Sequence, residues 1–131
     1  MGAWRCSAAV VAAALAAAAL AQDSGQFDGR WRGHYVDRNG KDRPAELLIA
    51  GQAGKWVYVN DVGKFGGPCL GPQMPATITA DSGGQLRVRI DGESVIKGCA
   101  VRIVTLKPGT EPDTLSGSFQ DNGHEVTLKR R

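Results

Sequence analysis

Side chains able to act as nucleophiles, bases or metal ligands are sparse in this 131-residue chain. Its two histidines, His34 and His124, lie far apart, and neither has a cysteine or carboxylate at the spacing of a triad or a metal site. No G-x-S-x-G or H-E-x-x-H run occurs. The glycine-rich stretch at 63–67, GKFGG, lacks the Lys-Ser/Thr pair and following helix of a phosphate loop. The expectation is therefore a non-enzymatic protein with no catalytic residue, no cofactor and no metal. What chemistry remains belongs to Cys69 and Cys99. They could form a cross-link or supply a reactive thiol, and the lack of a CxxC or Cys/His cluster favours the cross-link.

That choice depends on where the chain goes. Residues 1–21, MGAWRCSAAVVAAALAAAALA, combine Arg5, an uncharged apolar run and small residues at Ala19 and Ala21, the pattern of a secretory signal peptide. The run is shorter than the ~20 residues that span a bilayer, so no stable membrane anchor is expected. Cys6 would leave with the leader. The protein is then periplasmic or secreted, where thiols oxidise, and a Cys69–Cys99 bridge would stabilise it by about 3–4 kcal/mol on a chain-entropy estimate. Residues 22–131 suffice for one domain. The net charge of +3, or +2 without Arg5, gives no reason to expect nucleic acid as a partner.

The elements that must position any site are short and alternate with period two. In FDGRWRGHYV, 27–36, Phe27, Trp31 and Tyr35 share one face with Gly29 and Gly33. Further strands are expected at 45–50, 55–60, 76–80, 85–91, 95–106, 114–119 and 124–131, bounded by Gly, Asn, Asp and Pro. Eight strands with mostly short connections predict an all-β fold, an antiparallel up-and-down barrel, with a small β-sandwich as the second choice. Closure would also remove exposed sheet edges.

Register sets two local signals against each other. A tight Asn39-Gly40 turn would place Leu48 opposite Trp31 and turn Leu47 and Ile49 outward. Exposing two aliphatic side chains costs more than a favourable turn contributes. A bulge or longer loop between Asp37 and Arg43 is therefore expected, with Leu47 and Ile49 on the face of Trp31.

Gly29-x-Trp31 in the first strand, with Lys129 or Arg130 in the last, resembles the motif of the calycin superfamily, the lipocalins and avidins. Arg130 shares the parity of Val126 and Leu128 and is the expected partner of Trp31. The resemblance implies a barrel whose end is locked by a cation resting on an indole. It implies nothing about ligand, because Arg32, Gly33 and His34 follow Trp31 where an avidin site would carry its polar contacts.

In a meander barrel, alternate loops share an end. The stretch 61–75, with Pro68, Pro72 and Pro75, should lie on the same rim as Cys99, and His34, Tyr35, Phe65 and His124 gather there by the same counting. Those four are the candidate binding residues, on a loop that is either a preorganised binding edge or a plug. The leading expectation is an exported binding protein of lipocalin-like architecture whose site, at this rim, takes a small apolar ligand. The alternative is a module that binds an extracytoplasmic protein, such as an inhibitor of an extracytoplasmic enzyme. A second feature is the outward row Arg30, Arg32, Lys129 and Arg131, which would suit an anionic partner unless nearby acidic residues balance it.

Overall fold

The period-two segments form eight strands: β1 (Gly29–Val36), β2 (Asp42–Ala50), β3 (Ala53–Tyr58), β4 (Met74–Ala80), β5 (Leu86–Asp91), β6 (Val101–Pro108), β7 (Thr114–Phe119) and β8 (Glu125–Arg130). In this computed structural model, which describes residues 25–131, they pair antiparallel in sequence order and β8 returns to β1, closing a barrel. The leader assigned to residues 1–21 lies outside the described residues.

Burial decides the first hairpin. Trp31 pairs with Leu47 and Gly29 with Ile49, so Leu47 and Ile49 point inward. The offset is absorbed by Arg38, Asn39 and Gly40. Gly40 donates to the Asp37 carbonyl at 3.0 Å and takes φ +79°, while Asp37 N–H donates to the Lys41 carbonyl at 2.8 Å. A three-residue turn with glycine in the left-handed position replaces the tight two-residue one.

Strand six departs from expectation. β6 begins at Val101, and residues 92–100 form a coiled loop rather than the start of a long strand. The Gly92 carbonyl accepts from both Val95 and Ile96, the Ile96 carbonyl accepts from Cys99, and Gly98 adopts φ +94°. Consecutive turn hydrogen bonds cannot coexist with a ladder, so Cys99 stands in the loop and not in the strand.

The interior is filled by side chains. Trp31, Trp56, Phe119, Leu47, Met74 and Leu86 are among those that are almost wholly buried. Four rings, Tyr35, Tyr58, Trp56 and Phe119, meet edge to face with centroids 5.3–6.2 Å apart in one half of the barrel. Two glycines let the sheet close this tightly. A Cβ on Gly33 would sit 1.9 Å from the Thr127 carbonyl oxygen, and one on Gly117 would sit 1.7 Å from that of Thr105.

The other half is sealed at the β1–β8 seam. Arg130 lies over Trp31, 4.4 Å from the ring centroid, and donates to the carbonyls of Asp28 and Gln26 and to the Asp113 carboxylate. Trp31 Nε1 donates to the Phe27 carbonyl at 2.9 Å, folding the segment before β1 across the barrel end with Phe27 buried.

Candidate functional site

The turn 37–41, the loop 59–73, the loop 92–100 and the turn 120–124 share the end opposite the Trp31 seal. A Cys69–Cys99 disulfide, with Cα atoms 5.7 Å apart, joins the two long loops. The 59–73 loop is also held by hydrogen bonds of its own, two of them involving the Asn60 side chain. Asn60 accepts from the Val62 N–H and donates to the Gly63 carbonyl, and Gly71 N–H donates to the Tyr58 carbonyl at 2.7 Å. These bonds and the cross-link leave the loop little freedom to collapse onto the barrel.

Within that frame sits a short 3-10 turn, Gly63–Phe65, which holds Phe65 84 % exposed, with Lys64 Nζ 5.4 Å from its ring centroid. Among the described residues the other exposed large apolar side chains are Val95 and Val101, 43 % and 40 % exposed. Both belong to the loop joined to Phe65's own by the disulfide, or to the strand position just after it. Leu70 and Ile96 are half-buried beneath.

Beneath these loops the barrel mouth is polar. Arg102 projects inward from β6, rests 3.5 Å from the Phe119 ring centroid, and grips Asp121 with Nε and Nη2, each at 3.0 Å. That hydrogen-bonded guanidinium holds the Asp121 carboxyl below its ordinary range. Burial pushes the Tyr58 hydroxyl up to about 12 despite the opposing pull of Arg102. Burial, with Asp37 nearby, also raises Tyr35. Asp37 itself is held low, first by the Lys41 N–H and further by Arg43 and the Asn39 N–H.

A cleft of about 320 Å³ opens between the 37–41 turn and the tethered loops, walled by Tyr35, Tyr58, Leu70, Cys99 and Arg102. A larger one of about 580 Å³, lined by Phe27, Ile49, Ile78 and Leu86, opens at the opposite rim. Of the four residues named from sequence, only Tyr35 reaches the smaller cleft. His34 is exposed on the outer face, opposite Thr127 and Pro44. Phe65 stands out from its loop, and His124 sits in the β7–β8 turn with Nδ1 buried and unpartnered. Tyr58 and Arg102 were missed. Their signal was parity: Arg102 alternates with inward Val104 and Leu106, and Tyr58 with inward Trp56.

Among the described residues no group of three or more His, Cys, Asp or Glu could hold a metal ion. No described helix is long and apolar enough to cross a membrane. The outer basic row is partly neutralised, since Arg32 pairs with Glu46 at 3.2 Å and Lys129 with Glu111 at 3.6 Å.

No family model, curated protein or solved structure matches the chain. The barrel is compatible with a calycin-like fold, on the strength of its meander order and the Trp31–Arg130 contact.

Proposed function

We propose that this is an exported, calycin-like interaction module that docks on another extracytoplasmic protein through the disulfide-tethered rim. One observation carries the reading: of the three exposed large apolar side chains of the described residues, Phe65 and Val95 lie on the two cross-linked loops and Val101 opens β6 directly after the second. An exposed aromatic on a loop fixed in advance loses little conformational entropy on binding, and aromatic anchors dominate interface energies. The packed interior supports a protein partner over a small apolar ligand enclosed in the barrel. A partner enzyme whose cleft accepts the Phe65 loop would be inhibited by occlusion.

A photo-crosslinking phenylalanine analogue at position 65, in an extract of the cells that naturally make the protein, should give a discrete adduct. Excess unlabelled protein should suppress it, and excess Phe65→Ala protein should not. Equal suppression by both, or the same adduct from a probe at Ser82 on the opposite rim, would contradict docking at Phe65.

A further inference from the structure

Among the described residues only three buried side-chain polar atoms lack a hydrogen-bond partner: Trp56 Nε1, Tyr58 Oη and His124 Nδ1. Native proteins leave few such atoms, and an orphaned group often marks the place of something that binds there. Tyr58 lines the 320 Å³ cleft, as does the nine-tenths-buried Arg102. Arg102 lies close enough to the Tyr58 hydroxyl to oppose its raised pKa, yet the hydroxyl has no partner at normal hydrogen-bond geometry. The guanidinium spends Nε and Nη2 on Asp121, with no side-chain hydrogen bond from Nη1 among the described residues.

Two donors with no acceptor, one of them on a cation, ask for an oxygen. Asp121 already balances Arg102, so the preference for an anionic oxygen rests on Arg38 in the cleft wall. The charged residues lining the cleft are Arg38, Arg102 and Asp37. The Asp37 carboxylate already accepts from the N–H groups of Asn39 and Lys41 and from Arg43, so it is turned to its own loop. The remaining wall is Tyr35, Leu70, Gly98, Ala100 and the disulfide, apolar except for the Tyr35 hydroxyl and the backbone. We propose that the cleft binds a carboxylate carried on a small apolar or aromatic body, its oxygens accepting from Arg102 Nη1 and the Tyr58 hydroxyl. A hydrogen bond from a cation to a carboxylate is about twice as strong as a neutral one, which sets the selectivity over an uncharged isostere. The cleft volume, at the low end for ligand sites, suits a body about the size of one ring. This site lies at the barrel mouth, at the edge of the filled interior, and goes beyond docking at Phe65. It stands whether the carboxylate belongs to a free acid or to a chain terminus.

Titration of the protein with benzoate and with benzamide, followed by NMR of the Arg102 side-chain Nε–H and the amides of Leu70, Cys99 and Ala100, tests it. Benzoate should shift these signals saturably and bind at least tenfold more tightly than benzamide. Tyr58→Phe, which removes one oxygen from a site that keeps its ring, should weaken benzoate at least threefold. The free-acid and C-terminally amidated forms of Ala-Ala-Ala-Phe separate the sources. Tighter binding of the free-acid peptide than of benzoate assigns the carboxylate to a chain end, and weaker binding assigns it to a free acid. Equal affinity for benzoate and benzamide, shifts confined to the outer arginines, or unchanged benzoate binding in Tyr58→Phe would overturn the proposal. Phe65→Ala should leave every titration unaltered, so failure here is distinct from failure of docking.

Discussion

Trp31 and Arg130 face each other across the β1–β8 seam, and the one guanidinium touches an indole face, two carbonyls of the preceding segment and the Asp113 carboxylate. Barrel closure, the N-terminal segment and the β6–β7 connection are thereby tied to a single side chain. Trp31→Ala should cost about 3–5 kcal/mol, the range for a buried aromatic. Arg130→Lys keeps the charge but loses the planar fork, and should cost about 1–2 kcal/mol. Denaturant titration of both checks the seal, and an unchanged midpoint for Trp31→Ala would remove it.

Gly33 and Gly117 are spacers between strands that approach more closely than a side chain permits. Gly33→Ala must move the β8 backbone, because the obstructing atom is the Thr127 carbonyl oxygen. A loss of about 2–3 kcal/mol or more is expected at each position, at or above the usual cost of overpacking. Circular dichroism melts of the two variants measure it.

Much of this was legible in the sequence because burial leaves a periodic trace. Leu47 and Ile49 declared their face against a strong turn signal, and transfer energy outweighed the turn. Val95–Ala100 misled because a few apolar residues beside a cysteine imitate a strand. Local turn hydrogen bonds and Gly98 decide otherwise, and neither leaves a periodic mark. Arg102 and Tyr58 were readable by parity, but an inward arginine is ordinarily discounted. Its acceptability rests on Asp121 in the turn after β7 and on the Phe119 ring, a juxtaposition that only closure creates.

Tyr58 should make the protein alkali-sensitive. Its folded pKa is pushed up to about 12 from an ordinary value of 10.0, so the unfolded chain releases the proton first. Stability is full below pH 10 and falls as pH rises toward 12, by roughly 2–3 kcal/mol at most. Tyr58→Phe should flatten that decline and be no less stable at neutral pH, since it removes a buried hydroxyl with no partner. Urea titrations at pH 8 and pH 11 compare the two.

At the acid end the sign reverses. Asp121 is held below its ordinary 3.8 by Arg102, so its contribution is present above that pH and is lost as pH falls through the lower folded value. Asp121→Asn should be less stable at pH 7, leaving Arg102 buried without its counter-charge, and should show a shallower loss below about pH 4. Thermal melts from pH 7 to pH 2 read both effects.

The cross-link should govern the rim more than the barrel. Alkylation without reductant should label neither Cys69 nor Cys99. The Cys69→Ala/Cys99→Ala variant should lose about 3–4 kcal/mol. Hydrogen exchange should quicken first in residues 59–73 and 92–100, whose loops the bridge joins, while β4 and β5 stay protected.

Docking itself is tested most directly by the affinity of the crosslinked partner, once isolated, for wild type, Phe65→Ala and Arg87→Ala. Phe65→Ala should weaken binding by about 30-fold or more, the loss of an interface anchor of about 2 kcal/mol, while Arg87→Ala, on the outer face of β5, should change it less than twofold. Equal affinity for wild type and Phe65→Ala would contradict a module that binds through the tethered rim.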